Sequence, residues 1–351
     1  MKYAIIAAGE GSRLAQEGVA APKPLVKVGG EMLIDRLIRI FMDNNATEIC
    51  VICNEQMTEV AEHLDKIKKE GRVPLKYIVK STLSSMHSLW ELSKLIGDEP
   101  FVLTTVDTIF DEQDFKEYAV FAKLVLRGEE NGGSDGLFGV TEYIDDEKPL
   151  YVGVGTPEWP HQITGFYDTC DNPRYISAGI YGMTPKAFET LNKCIERGES
   201  RMRNFQRALI ADGVDLMAWP FLKVMDIDHA SDIEKAEAFL EGEKVRGYES
   251  LDDTAGGEVL AELGREGLGN TGSSRHPIDS CWASDRLRER GTGVCPRAVR
   301  PDNDNGTTAR DARQTKAPER HQLVGGHREL LEMSLGEDYD KAWYTDGSER
   351  G

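Results

Sequence analysis

Ala7-Ala8-Gly9-Glu10-Gly11-Ser12-Arg13-Leu14 follows directly on the apolar run that begins at Lys2. A strand-length apolar segment that breaks on two glycines, passes through a polar loop and resumes as the amphipathic stretch Met32 to Met42 reads as strand, loop, helix. The alternation then repeats. Glu48 to Cys53 is strand-like and Met57 to Lys69 helical; Leu75 to Val79 is strand-like and Ser85 to Ile96 helical; Phe101 to Val106 is strand-like and Gln113 to Leu126 helical. Such a pattern predicts an α/β fold on a doubly wound, mostly parallel sheet. From Gly136 to Tyr181 the chain turns strand-rich, at Leu137 to Tyr143, Leu150 to Val154 and Arg174 to Tyr181, with a turn signal at Asp145-Asp146. An antiparallel or mixed excursion is expected there. Helices near Pro185 to Glu196 and Met202 to Ala211, a strand pair near Leu216 to Ile227 and a helix at Ser231 to Leu240 close this part. Ligands of such sheets lie beyond the carboxyl ends of the strands, near the switch point, so the chemistry is sought in the loops there.

The glycine loop is the strongest of these signals. Two glycines after a strand let backbone N–H groups approach a phosphate closely. A dinucleotide fingerprint needs a third glycine where Leu14 stands, and no Gly-Lys-Ser/Thr is present, so neither the Rossmann nor the Walker pattern is met. Together with Pro22-Lys23-Pro24-Leu25, the loop resembles the A-G-x-G-[ST]-R-[LM]…P-K signature of nucleotidyltransferases that make NDP-sugars and related activated phosphates. The resemblance covers about the first 240 residues and implies a GT-A-like nucleotide-diphosphosugar transferase fold.

The resemblance also implies roles. Ala8, Gly9, Gly11, Ser12 and Arg13 would cradle the triphosphate of an NTP, with Arg13 and Lys23 as the catalytic cations. Charge builds on the departing pyrophosphate, so cations aimed there stabilise the transition state more than the ground state. Asp107, which ends the apolar strand Phe101 to Val106, takes the family's metal-binding place. Asp228 in Met225-Asp226-Ile227-Asp228-His229 is the better match for the second carboxylate, with Asp226 in reserve, and Mg²⁺ is the expected ion. Ser84 and Ser85, and Ser88 beside them, fall where the family binds the base, although the usual glycine-rich form is missing; they serve equally well as helix caps. Gly179 resembles a position of close approach to the acceptor, or else marks a bulge in a buried strand. Arg203 and Arg207, four apart on one helix face, are candidates for an acceptor-phosphate clamp, or for a solvated face.

The reaction expected from the resemblance moves NMP from an NTP to a sugar 1-phosphate, or to a small alcohol phosphate such as phosphocholine. A non-catalytic nucleotide-binding module and a molybdenum-cofactor nucleotidyltransferase are the alternatives. Composition narrows the partners. The chain has 351 residues, 42 Lys+Arg against 61 Asp+Glu, and a formal charge of −19, which disfavours nucleic acid or anionic membrane as partner. No apolar run approaches the roughly 20 residues of a membrane span, and Met1 to Gly9 lacks a basic leader, so a soluble, cytoplasmic protein is expected. Cys50 and Cys53 have redox-like spacing but sit within one apolar strand, where residues three apart face opposite ways. Two core thiols are expected.

Composition shifts near residue 245. Residues 1–245 hold 10 Arg and 17 Lys, whereas residues 246–351 hold 13 Arg and 2 Lys, with only 14 Leu, Ile, Val and Phe. That is little apolar material for a core, so a disordered Arg/Gly-rich extension at 246–351 is expected, with an appended small interaction module or foreign coding sequence as the alternatives and short helices at Gly257 to Leu263 and His327 to Met333; the resemblance implies a nucleotidyltransferase domain at 1–245.

Overall fold

A computed structural model describes residues 1–126, 133–145, 147–155 and 161–252, with side chains described through residue 242. The expected helices at Gly257 to Leu263 and His327 to Met333 lie outside the described residues, as does nearly all of the Arg-rich extension.

The first half alternates as the sequence predicts. It runs β1 (Lys2–Ala7), α1 (Ser12–Gln16), β2 (Lys27–Val28), β3 (Glu31–Met32), α2 (Leu33–Asp43), β4 (Glu48–Cys53), α3 (Thr58–Glu70), β5 (Leu75–Val79), α4 (Ser85–Ile96), β6 (Phe101–Thr105), β7 (Thr108–Phe110) and α5 (Glu112–Val125). The second half is β8 (Gly136–Thr141), β9 (Tyr151–Val154), β10 (His161–Tyr167), β11 (Tyr175–Met183), α6 (Ala187–Glu196), α7 (Met202–Ala211), β12 (Leu216–Phe221), β13 (Val224–Asp226) and α8 (Ala230–Asp252).

Among the described residues, nine strands form one mixed sheet in the order β5-β4-β1-β6-β11-β8-β12-β10-β9. The β5-β4-β1-β6 half is parallel, β11 runs antiparallel to both β6 and β8, and β12 is parallel to β8. Strand alternation sends Tyr3, Ile5, Ile49, Val51 and Cys53 to the core under α2, α3 and α5, and Ala4, Ile6, Cys50 and Ile52 to the core under α4, α6 and α7. Cys50 and Cys53 therefore lie buried on opposite faces, as expected. Helix α2 shows the pattern plainly: Leu33, Ile34, Leu37, Ile38 and Phe41 recur at helical spacing and all bury.

Three details go beyond the sequence reading. Leu216 to Ile227 holds the two expected strands, but they pair elsewhere: β12 joins the main sheet beside β8, while β13 pairs antiparallel with β7 in a separate two-stranded ladder. β10 was not anticipated, because its His-Gln-Ile-Thr-Gly-Phe-Tyr run mixes polar and aromatic residues and lies at the far side of the sheet between β12 and β9. The last helix also continues past 245, to Asp252. No helix among the described residues is long and apolar enough to cross a membrane.

The chain moves outward from β1 to β4 and β5, then returns to place β6 on the other side of β1. This is the switch point, and the loops leaving β1 and β6 open side by side at their carboxyl ends. The N–H of Val106 donates to the Ile6 carbonyl at 3.0 Å, extending the ladder into that opening.

Candidate active site

The glycine loop leaves β1 and turns into α1 at Gly11, whose φ of +60° lies in the left-handed region. A Cβ on Gly11 would stand 3.0 Å from Lys23 Cβ, so this glycine also lets the Pro22-Lys23 turn close on the loop. Gly9 has nothing within 4 Å of where a Cβ would be. It keeps the solvent side open to a ligand, with Gly9, Ser12 and Arg13 all exposed. At the loop's root the Asn54 amide donates to the Ala8 carbonyl at 3.2 Å, while its oxygen accepts from the Ser81 hydroxyl at 2.8 Å. Buried Asn54 thus ties the loop after β1 to the segment before α4.

Lys23 is the hub. Its ammonium contacts Asp107 and lies 2.9 Å from Asp228 Oδ1, while Arg13 reaches Asp228 Oδ2 at 2.9 Å. Burial works against the Lys23 charge, but the two carboxylates outweigh it and raise its pKa. Burial likewise works against ionised Asp228, and Lys23 with Arg13 more than offsets it, holding that carboxyl below its ordinary range. The two carboxylates, remote in sequence, are aligned by the small ladder in which Asp226 at the end of β13 pairs with Thr108 in β7. The Ile227 N–H then donates to the Asp107 carbonyl at 3.1 Å.

Gly179 stands against this point. Its φ is +71°, the β11–β8 register shifts between Ser177 and Tyr181, and a Cβ would meet Thr108 Oγ1 at 3.2 Å. The expected bulge is present, and it brings the β11 backbone onto the Thr105–Thr108 hydroxyl pair, 2.6 Å apart, that flanks Asp107.

Ser84 occupies the N-cap position of α4 but makes no side-chain cap bond. Its hydroxyl instead pairs with His87 Nδ1 at 3.0 Å and accepts from the Arg201 N–H at 3.2 Å. Ser85 is the first residue of α4, and Ser88 is buried with its hydroxyl 2.6 Å from that of Thr82. Beside Ser84 opens a groove of about 540 Å³ lined by Asp168, Ser200, Arg201, Arg203, Asn204 and Arg207. Arg203 and Arg207 do not face it as free cations: Asp168 takes Arg203 on one oxygen and Arg207 on the other, each at 2.7 Å. Arg201 makes no side-chain ion pair or hydrogen bond among the described residues, and its backbone φ of +74° is unusual for a side-chain-bearing residue. Burial pushes the Tyr181 phenol up to about 12, against a hydrogen bond with Ser177 that lowers it.

Asn54, Arg201 and the partnering of Asp168 escaped the sequence reading. Asn54 at the end of an apolar strand was the one local signal; the others depend on contacts remote in sequence. Among the described residues no group of three or more His, Cys, Asp or Glu is placed to hold a metal. Asp107 and Asp228, converging on one cation, are nonetheless a hard-oxygen pair of the kind Mg²⁺ takes alongside waters and phosphate oxygens, so the residues present fit that ion.

The nucleotidyl transferase family model matches residues 2–243. The chain is 29% identical over 218 residues to mannose-1-phosphate guanyltransferase of Aspergillus oryzae, covering 61% of this chain and 57% of that protein. It is 26% identical over 259 residues to the UTP–glucose-1-phosphate uridylyltransferase AglF of Haloferax volcanii, covering 71% of this chain and 100% of that protein. The chain spans about half the length of most of the curated relatives it matches. The solved inositol-1-phosphate CTP transferase from T. maritima shares the fold, with a TM-score of 0.54 and 19% identity over 66% of this chain and 90% of that one. Since the match runs from β1 into α8 and takes in both carboxylates and the lysine between them, the chain belongs to the nucleotidyl transferase family.

Proposed function

We propose that this protein transfers a nucleotidyl group from an NTP to a sugar 1-phosphate. An acceptor phosphate oxygen forms a bond to the α-phosphorus, the α–β phosphoanhydride bond breaks, and pyrophosphate leaves with the electron pair. The observation that carries the reading is the convergence of Arg13, Lys23, Asp107 and Asp228 beside a glycine loop at the switch point. The loop from Ala8 to Arg13 binds the triphosphate, and Lys23 neutralises charge as it develops. Asp107 and Asp228 would hold Mg²⁺, which when bound supplies positive charge against the phosphate oxygens. Ser84 and Ser85 lie toward the base.

The groove beside Ser84 suits the acceptor. Arg201, whose guanidinium makes no ion pair or hydrogen bond among the described residues, serves the acceptor phosphate, and Gly179 allows the acceptor to approach the reacting phosphorus. Arg203 and Arg207 hold Asp168, whose carboxylate with Asn204 and Ser200 is chemistry for sugar hydroxyls. The names of the relatives, with mannose 1-phosphate and glucose 1-phosphate as acceptors, lean the same way.

The test is pyrophosphate release by the full chain with Mg²⁺, each of four NTPs, and a panel of sugar 1-phosphates, inositol 1-phosphate and phosphocholine. Release that requires one NTP and a sugar phosphate, and that collapses in Lys23→Ala and Asp107→Ala, supports the reading. Release with phosphocholine alone moves the acceptor to the alcohol phosphates, and nucleotide binding without release by any pair returns the protein to a binding module.

A further inference from the structure

Glu17 follows α1 as its C-cap, four residues after Arg13, so the two side chains leave one helix face. That face meets three consecutive residues more than 200 positions further along the sequence. Arg13 reaches Asp228 Oδ2 at 2.9 Å; Glu17 Oε1 lies 2.6 Å from His229 Nδ1; Glu17 Oε2 accepts from the Ala230 N–H at 2.7 Å. Ala230 opens α8, whose first N–H groups have no partner within the helix, so a carboxylate there answers both the free donor and the helix dipole. From within α8, Asp232 accepts from the N–H groups of Asp228 and His229 at 3.2 and 2.8 Å. Glu147 stands 3.8 Å from the far side of the His229 ring.

The ion pairs on Asp228 are with Arg13 and Lys23, the same two cations that the nucleotidyl-transfer reading assigns to the phosphates. Once phosphate draws Arg13 away, the hydrogen bonds left between α1 and the 228–230 turn, among the described residues, are those of Glu17. We propose that Glu17 is a positioning residue: it holds the Asp228 turn in register with the phosphate loop while Arg13 and Lys23 are engaged by substrate. Glu17 itself touches no reacting atom. This rests on the proposed function, and it assigns a role to a residue outside the glycine and lysine signature.

The experiment uses the full chain and its Glu17→Ala, Glu17→Gln and Glu17→Asp variants. Mn²⁺ binding is followed by electron paramagnetic resonance in the presence of an α,β-methylene analogue of each of the four NTPs, alongside thermal melting and steady-state kinetics. Loss of outer-shell support for a ligand typically weakens metal binding 10–100-fold. The expected result is a Mn²⁺ affinity about 10-fold weaker in Glu17→Ala, less affected in Glu17→Gln, which keeps an acceptor for the Ala230 N–H, with the KM for sugar phosphate unchanged. A lowered melting temperature with unchanged Mn²⁺ affinity would make Glu17 a helix cap alone and overturn the proposal. If the unsubstituted chain shows neither nucleotide-dependent Mn²⁺ binding nor pyrophosphate release, the nucleotidyl-transfer reading fails first and this proposal falls with it.

Discussion

The Ile227 N–H donates to the Asp107 carbonyl at 3.1 Å. This bond continues the β7–β13 ladder by one step and brings the backbone beside Asp228 against the residue that carries the other carboxylate. The spacing of the acidic pair is therefore set by main-chain hydrogen bonding, and half-buried Lys23 bridges the two carboxylates, with Arg13 as a second cation on Asp228.

Removing Lys23 should damage catalysis and the resting protein together. Lys23→Ala is expected to slow pyrophosphate release by a factor on the order of 10²–10³, the usual effect of losing one preorganised charge-stabilising group. Without metal, Asp107 and Asp228 lose their shared cation, so the melting temperature should fall, and added Mg²⁺ should recover more of it in the variant than in the unsubstituted chain. Calorimetry with and without Mg²⁺ checks this.

The two loop glycines should separate folding from binding. Gly11→Ala forces a side chain into φ +60° and 3.0 Å from Lys23 Cβ, with an expected cost on the order of 1–2 kcal/mol in urea denaturation. Gly9→Ala meets nothing within 4 Å and should leave stability within about 0.5 kcal/mol. Its NTP KM should nevertheless rise several-fold, because the added methyl occupies the open side that the proposed function gives to phosphate.

Arg201→Gly is expected to stabilise the protein while impairing it. The backbone at φ +74° suits glycine, and relief of that strain should add about 1 kcal/mol to the unfolding free energy. Loss of the guanidinium should raise the acceptor KM and leave the NTP KM unchanged. Arg201→Ala should show the same kinetic defect without the gain in stability.

Acid sensitivity should reside partly in Glu91. Burial disfavours its ionised form, yet Lys80 and Lys94, at 2.7 and 2.8 Å, outweigh this and lower its pKa. A folded-state pKa below the unfolded one gives stability that is present above the ordinary glutamate range and lost as pH falls through the lower folded value. Melting temperature followed from pH 7 to pH 3 should therefore decline less steeply in Glu91→Gln.

The core thiols should be silent. Burial pushes Cys50 up to about 12 and Cys53 up to about 11, so neither forms thiolate at neutral pH. Dithiobis-nitrobenzoate should leave both unmodified in the native protein and label them at once in denaturant.

Local pattern made the glycine loop after β1 and the apolar strand that ends before Asp107 legible, since glycine spacing and apolar periodicity act over a few residues, whereas the roles expected of Lys23 and Asp107 came from the resemblance. Asp228 was legible through resemblance, and the ladder with β7 that aligns it was not. Arg203 and Arg207 show the limit clearly. Their spacing gave the shared helix face, but Asp168, which holds them both, approaches from the chain just after β10. Arg201 declares itself only through its backbone angle and the groove it lines, and Asn54 only through its bonds to Ala8 and Ser81. Contacts between remote segments leave no periodic trace in sequence.

The β7–β13 ladder also dictates an order of events during synthesis. A growing chain presents its glycine loop and Lys23 early, whereas the partner of Asp107 emerges only with residues 224–228. Closing so long a loop is entropically late in folding. The acidic pair thus forms only once residues 224–228 have been made, and a product ending before β13 carries Asp107 without Asp228.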